Sequence, residues 1–203
     1  MYLPKQFDRP EHAGTLMREH PLASLVTTDD SGFPFITHLP LKLEEEGGAP
    51  RRLLGHCARG NPLWGYLQRR PLALASFMGP QAYMSPKVYA DLQRVPTWCY
   101  LAVQVRVQAK LLEGEAAKDA LLKQLIGDHE PPYAAQWRAL PEDYTERMLQ
   151  GIVAFELDVV DLQCAVKLNQ HRPEAHAAMH RAYTAGSHQE QALAQWMQRL
   201  GMV

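Results

Sequence analysis

Apolar and polar residues alternate along much of this chain, the pattern of antiparallel strands that bury one face. The longest such run is 97–111, where Val103, Val105 and Val107 face one way and polar residues face the other. Alternating or short apolar runs predict further strands at 22–28, 33–43, 52–57, 72–77, 81–86 and 151–160. The turn at 29–32 joins the first two of these as a hairpin.

Helical spacing of apolar residues predicts helices between the strands and at the end of the chain. These cover 8–20, 62–70, 115–126, 142–150, 173–185 and 187–200. Asp8 with Glu11, and Ser187 with Glu190, have the spacing of a capping box, which marks a helix start. Antiparallel strands with inserted helices and a helical end predict an α+β fold built on a small β-barrel.

Composition and charge exclude several classes of protein. The 203 residues carry a net charge of −1 and have a pI near 6.8, which argues against a broad basic surface for nucleic acid. No apolar run is long enough for a membrane span, and the first residues lack a secretion signal. The three widely spaced cysteines predict buried, reduced thiols, and we therefore expect a cytoplasmic protein.

A possible anion site lies in the stretch 54–64, which runs from the end of a strand through a polar loop into a helix. Pro62 suits the first helical position and Asn61 the cap before it, so backbone N–H groups are expected to point outward. Arg59 adds a fixed positive charge. A helix start beside a guanidinium binds anions, most naturally a phosphate. The alternative is a capped helix with a solvated arginine.

Other chemistry is weakly indicated. His176 and His180 share one helix face, but no third ligand is set beside them by spacing, so we expect no metal site. No nucleophile elbow, phosphate-binding Walker loop, dinucleotide fingerprint or acid–base pair is present, and no catalytic residue is assigned. The aromatic residues Trp64, Tyr83 and Trp98 belong either to the core or to the wall of a site for a flat phosphorylated ligand.

Several short motifs resemble the PaiB-type family, described as FMN-binding negative transcriptional regulators. They occur in the expected order over about residues 1–170 and are MYLP at 1–4, HPLA at 20–23, HLPL at 38–41, LGHCARGNP at 54–62, GPQAYMSP at 79–86, VPTW at 95–98 and KL at 167–168. At two positions the chain departs from the family pattern: Cys99 stands where the family has Asn, and Asn169 where it has Ser.

This resemblance implies a split-barrel flavoprotein, related in fold to pyridoxamine-phosphate oxidases, whose homodimer holds FMN at the subunit interface. His56, Ala58, Arg59 and Asn61 would hold the phosphate end of FMN. The full set of cofactor-binding residues that it implies is Thr37, His38, His56, Ala58, Arg59, Asn61, Tyr83, Trp98, Lys167 and Gln170. Of these, Trp98 and the segment 167–170 would approach from the dimer interface.

We therefore expect an antiparallel split β-barrel with peripheral helices over residues 1–171, followed by a helical C-terminal extension over 172–203 that packs on the same domain or on the dimer interface. The expected function is that of a regulatory or redox-sensing flavoprotein. The alternative is an FMN-dependent oxidoreductase that acts on a small molecule. Direct DNA binding is not expected, because no helix-turn-helix is evident and the tail arginines are sparse.

Overall fold

The secondary structure follows the alternating pattern closely where strands are half-buried. Residues 1–91 and 93–203 are described by the computed structural model. The strands are β1 Leu22–Thr28, β2 Pro34–Pro40, β3 Lys42–Glu46, β4 Ala49–Ala58, β5 Leu72–Met84, β6 Thr97–Leu112 and β7 Ile152–Lys167. The α-helices are α1 Ala13–Glu19, α2 Leu63–Arg69, α3 Glu115–His129, α4 Tyr133–Ala139, α5 Glu142–Gln150, α6 Pro173–Thr184 and α7 His188–Arg199.

The seven strands form one antiparallel sheet in the order β2-β1-β5-β6-β7-β4-β3, which confirms the predicted α+β split-barrel class. The sheet is not closed into a full barrel. Strands β1 and β2 form the predicted hairpin, in register from Leu22 opposite Pro40 to Thr28 opposite Pro34. Its turn is held by Asp29, whose carboxylate accepts the backbone N–H groups of residues 31 and 33 at 2.8 and 2.9 Å.

A corner at Leu41 sets the geometry next to the candidate site. The prediction of one strand over 33–43 is wrong, because β2 pairs with β1 whereas β3 pairs with β4. Leu41 is the one residue between β2 and β3; it is buried, and its N–H donates to the carbonyl oxygen of Pro21 at 2.9 Å. The residues on either side of Leu41, Pro40 and Lys42, therefore belong to opposite edge strands of the sheet.

Contacts divide the chain into two compact units. The first unit is Met1–His20, Phe77–Gln104 and Gln163–Val203, and the second unit is Pro21–Ser76 and Val105–Leu162. Strands β5, β6 and β7 each contribute residues to both. Helices α6 and α7 belong to the first unit, together with the N-terminal segment. The domain boundary expected after residue 171 stays a prediction.

The core of the second unit depends on a close approach at Gly55 on β4. Gly55 lies opposite Phe155 of β7, and both residues are fully or nearly enclosed. A Cβ atom at position 55 would stand 2.5 Å from Cδ2 of Leu41 and 3.0 Å from the Phe155 ring. The missing side chain at position 55 is therefore what allows Leu41 and Phe155 to fill this part of the core.

The first unit buries one face of each tail helix. Helix α6 buries Met179 and Tyr183, and α7 buries Trp196 and Met197. The predicted capping box at Ser187 is confirmed: its hydroxyl accepts the N–H of Glu190, whose carboxylate accepts the N–H of Ser187.

The capping box predicted at Asp8 is wrong. The N–H of Arg9 donates to the carbonyl oxygen of Cys164 at 2.9 Å, and Asp8 forms an isolated bridge with Ala165. Arg9 would be the first residue of a helix capped at Asp8, but it lies at φ −139° and ψ 66°, outside the helical region. Helix α1 therefore begins at Ala13, after a short 3₁₀ turn at Pro10–His12.

Strands β5 and β7 are longer than predicted, and the structure adds strand β3 and helix α4. Strand β5 runs without a break through Gly79 and Pro80, where two shorter strands were expected, and β7 extends to Lys167 rather than ending near residue 160. Residues 44–50, predicted as a loop, instead form the β3–β4 hairpin around a turn at 47–48. Helix α4 was not predicted.

The cysteine prediction is confirmed, since Cys57, Cys99 and Cys164 are all buried and unpaired. Burial raises the pKa of the Cys57 thiol to about 11 and that of Cys164 to about 12, so both are thiols at neutral pH. None of the helices in the described ranges combines the length and apolar character of a membrane span.

Candidate functional site

The loop after β4 is held in one conformation by backbone hydrogen bonds. The N–H of Arg59 donates to the carbonyl oxygen of Gly151 at 2.8 Å, and the N–H of Asn61 donates to that of Ala58 at 2.9 Å. Residues 58–60 are exposed, while Asn61 is half-buried. The loop therefore presents Arg59 to solvent on a fixed backbone.

Asn61 joins this loop to a neighbouring strand and to the helix that follows. Its Nδ2 donates to Oγ1 of Thr37 on β2 at 3.1 Å, and its Oδ1 accepts the N–H of Leu63 at 3.0 Å. Helix α2 begins at Leu63, one residue later than predicted, and Pro62 occupies the N-cap position. Asn61 still satisfies an N–H of the first turn, as a capping side chain does. The predicted residues Thr37 and Asn61 are thus brought together.

The Arg59 side chain lies against the start of β7. Its Nε donates to the carbonyl oxygen of Gln150 at 2.8 Å, and its Nη2 donates to that of Ile152 at 3.3 Å. Its own carbonyl oxygen accepts the indole N–H of Trp64 at 2.9 Å. Arg59 therefore anchors the loop as well as supplying a positive charge.

The two predicted histidines lie in different environments. His38 is exposed on β2, on the opposite face from Thr37, and its Nδ1 lies 3.1 Å from the hydroxyl of Ser24. His56 is half-buried on β4, on the same face as Ala58. Burial lowers the pKa of His56, and its Nδ1 is buried with no hydrogen-bond partner among the described residues. A neutral imidazole with one unsatisfied nitrogen is available there to a ligand.

The remaining predicted residues belong to the first unit. Tyr83 and Trp98 are each 49% exposed, and their rings meet edge to face with centroids 6.4 Å apart. The indole N–H of Trp98 donates to the side-chain oxygen of Gln81 at 2.9 Å, which fixes the ring. These two residues form an exposed aromatic pair.

Lys167 and Gln170 lie at the end of β7 and in the loop after it. The Lys167 ammonium donates to Oγ1 of Thr97 at 2.9 Å and lies 5.7 Å from the centre of the Tyr100 ring. The Gln170 amide instead holds its own loop: its oxygen accepts the N–H of Leu168 at 3.0 Å, and its nitrogen donates to the carbonyl of Val166. The structure thus brings Lys167 to β6 and turns Gln170 toward the backbone.

A cavity of about 200 Å³ in the first unit, which we call the Arg94 cavity, has no counterpart among the sites predicted from sequence. Arg94 and Tyr89 lie in the irregular segment between β5 and β6, where no periodicity marks a site. The residues that line it are Phe7, Met84, Tyr89, Arg94, Val95, Thr97, Cys99, Lys167, Asn169, His171 and Arg172. Among the described residues, no three His, Cys, Asp or Glu side chains gather as a metal site would require.

Comparison with known proteins connects this arrangement to flavoproteins. The chain is 35% identical over 179 residues to "Protease synthase and sporulation protein PAI 2" of Bacillus subtilis, and the match covers 86% of this chain and 84% of that protein. Two solved structures share the fold at low identity. The flavocytochrome Anf3 of Azotobacter vinelandii has a TM-score of 0.63 at 16% identity, covering 81% of this chain and 71% of that one.

The FAD- and heme-binding protein of Mycobacterium smegmatis has a TM-score of 0.60 at 18% identity, covering 78% of this chain and 71% of that one. The profile of the family described as "Putative FMN-binding domain" matches residues 1–161. Taken with the PAI 2 match, which covers most of both proteins, this shows that the chain belongs to the FMN-binding, PaiB-like family of split-barrel flavoproteins and has FMN as its cofactor.

Proposed function

We propose that this protein is a cytoplasmic, homodimeric flavoprotein with a regulatory or redox-sensing role, and that the phosphate of FMN binds at the loop after β4. The observation that carries the placement of FMN is the loop itself: exposed Arg59 lies on a fixed backbone next to Asn61, whose side chain reaches Thr37. A phosphate needs a cation and hydrogen-bond donors at a solvent-accessible position. The exposed guanidinium of Arg59 supplies both, since its Nη1 donates to no group among the described residues.

The donor set fits the rest of FMN in chemical terms. The unpartnered Nδ1 of His56 offers a hydrogen bond on the same strand face as Ala58. The exposed aromatic pair Tyr83 and Trp98 offers apolar surface for a flat ring, and Lys167 offers a cation. When bound, the flavin supplies the capacity to accept and return electrons. In the proposal, His38 and Gln170 complete the set of ten residues, and Trp98 with 167–170 comes from the partner copy.

An apolar row on the outer face of the sheet supports the homodimer. Val26 lies opposite Ile36 on β2 and opposite Leu74 on β5, so the three side chains stand side by side on one face. Ile36 is 55% exposed, and Leu22 and Leu72 of the same strands are exposed as well. Exposed apolar side chains that stand side by side on a sheet face favour an interaction surface.

The homodimer is tested by analytical ultracentrifugation of the Ile36→Lys variant. We expect the wild type to sediment as a dimer and Ile36→Lys as a monomer, because a charge on the most exposed residue of the row cannot be buried unpaired at an interface. The matched control is Val160→Lys, which changes an equally exposed aliphatic residue on β7 and is expected to stay dimeric. A dimeric Ile36→Lys variant would place the interface elsewhere.

FMN binding and the mode of regulation require separate measurements. Purified protein is expected to show the absorbance bands of bound flavin, or to take up added FMN with quenching of its fluorescence. The regulatory role is proposed to act through a partner or a small molecule, so no specific gel shift with genomic DNA fragments is expected. A specific shift at moderate salt would overturn that part of the proposal.

A further inference from the structure

The Arg94 cavity has its own chemistry, apart from the loop after β4. It lies in the first unit, where the start of β6, the end of β7 and the segment between β5 and β6 meet. Apolar side chains, among them Phe7, Met84 and Val95, line part of it. The polar residues on its wall are almost all hydrogen-bond donors or cations.

Two of these donors are buried without an acceptor. Asn169 is 5% exposed, and its Nδ2 has no hydrogen-bond partner among the residues that the structure describes; the same holds for Nε of Arg94. Only four side-chain polar atoms are in this state in residues 1–91 and 93–203, and two of them belong to the wall of this one cavity. Buried donors are normally satisfied, so these two nitrogen atoms favour a ligand that supplies hydrogen-bond acceptors.

The two donors are held in place by neighbouring groups. The hydroxyl of Tyr89 donates to Oδ1 of Asn169 at 3.1 Å, which leaves the amide nitrogen as the free end of that side chain. The Arg94 guanidinium lies 5.1 Å from the centre of the Tyr89 ring and pairs with Asp91 at 2.9 Å. Asn169 has a backbone φ of 63°, the only positive φ of a non-glycine residue among those described. Such conformations are retained where a site needs them.

The balance of charge favours a single negative charge on the ligand. Arg94, Lys167 and Arg172 line the cavity. Near them, Asp91 pairs with Arg94, and Glu174 lies 4.0 Å from both arginines. Three cations against two carboxylates leave one positive charge.

We propose that the Arg94 cavity binds a small organic monocarboxylate, whose oxygens accept hydrogen bonds from Nε of Arg94 and Nδ2 of Asn169 and whose apolar body lies against the aliphatic wall. The volume of about 200 Å³ suits a ligand of this size. It is somewhat larger than the cavity of about 150 Å³ that holds benzene. It is smaller than the roughly 300–1,000 Å³ of pockets for drug-sized ligands. The cavity is therefore too small for FMN. Lys167 belongs both to its wall and to the proposed FMN-binding set, so the proposal requires that the cavity and the flavin site can be occupied together.

The test is isothermal titration calorimetry of FMN-loaded and FMN-free protein with benzoate. Benzamide, which has the same shape without the charge, and inorganic phosphate serve as comparison ligands. We expect saturable binding of benzoate, and binding of benzamide and phosphate at least about tenfold weaker. FMN uptake is followed separately by absorbance, so a failure of the flavin site is seen independently of benzoate binding.

Variants then assign the contacts. Arg94→Gln removes the guanidinium, and Asn169→Asp keeps the acceptor for Tyr89 while replacing the free donor by a carboxylate oxygen. Each is expected to weaken benzoate binding about tenfold or more. Arg181→Gln on the exposed surface of α6 is the matched loss of a cation and is expected to leave the affinity unchanged. If Asn169→Asp does not fold, Arg94→Gln still decides the question.

Three results would overturn the proposal. The first is no heat of binding with benzoate in wild-type protein. The second is wild-type affinity in Arg94→Gln. The third is mutual exclusion of benzoate and FMN, which would make the cavity part of the flavin site.

Discussion

Replacing Arg59 separates its two roles, as anchor of the loop and as ligand of the FMN phosphate. Arg59→Ala removes one good hydrogen bond, from Nε to Gln150 at 2.8 Å, and one longer one, from Nη2 to Ile152 at 3.3 Å. A net hydrogen bond contributes about 0.5–1.5 kcal/mol, so the FMN-free protein is expected to lose about 1–2 kcal/mol of unfolding free energy. Urea unfolding measures this loss.

The effect on FMN is expected to be larger. A charge-assisted bond to phosphate contributes about 1.5–3 kcal/mol, which corresponds to roughly a 10- to 150-fold rise in Kd for FMN. Arg59→Lys keeps the charge but loses the planar fork, and we expect it to fall between Arg59→Ala and wild type. Quenching of FMN fluorescence on titration with protein gives the Kd of each variant.

Arg138→Ala provides the matched control, because Arg138 is an exposed arginine on α4, away from this loop in sequence. It is expected to change neither stability nor Kd by more than about 0.5 kcal/mol. If Arg59→Ala loses stability but binds FMN with the wild-type Kd, Arg59 is only a loop anchor, and the phosphate must bind elsewhere.

Three further predictions concern the second unit of the chain. Asn61→Ala is expected to lower the unfolding free energy in urea by about 1–3 kcal/mol, because both the helix cap and the hydrogen bond to Thr37 are lost. A double-mutant cycle with Thr37→Val isolates the contribution of the hydrogen bond, and additive losses would contradict it. Gly55→Ala is expected to cost about 1–3 kcal/mol by overpacking, whereas Gly60→Ala, with open space around it, serves as the neutral control. Burial lowers the pKa of His56, so the folded protein binds a proton there more weakly than the unfolded chain. The unfolding free energy is therefore expected to fall as the pH is lowered from 6.5 through the pKa of His56 in the folded protein. His56→Gln should reduce this dependence of the unfolding free energy on pH, and an unchanged dependence would show that His56 is not responsible.

The sequence predicted best where secondary structure depends on one buried face. Strands β1 and β6 were found to within a residue, because every second side chain along most of each is buried. Strand β5 was broken in the prediction at Gly79 and Pro80, residues that usually end strands. In the structure a Cβ at Gly79 would stand 3.0 Å from Leu16, so the glycine marks close packing of α1 rather than a turn.

Errors arose where tertiary contacts outweigh local signals. The Asp8 capping box fits the local pattern, but the N–H of the next residue, Arg9, bonds to Cys164, more than 150 positions away in the chain. The turn of the chain at Leu41 was not predicted either: Pro40 indicated an edge strand or a bulge, but apolar residues continue through this point on both sides. Only the pairing of β2 with β1 and of β3 with β4 places the corner there.

The candidate site divides in the same way between local and long-range information. The loop at 58–62 was predictable because strand end, arginine, asparagine and proline are adjacent in sequence. That Arg59 donates to Gln150 and Ile152 was not, because those carbonyl groups belong to the chain about 90 positions later. The role of Arg59 can therefore be tested only with stability and affinity measured side by side.

The two residues at which the chain departs from the family pattern lie at the same place in the structure. Cys99 and Asn169 are far apart in sequence, yet both line the Arg94 cavity. If these residues touched only the flavin, their exchange would alter the binding of a cofactor that the whole family shares. If the Arg94 cavity binds a second molecule as proposed, their exchange would instead change which molecule fits beside Arg94. In that case the flavin site identifies the family, and the cavity accounts for what this member recognises.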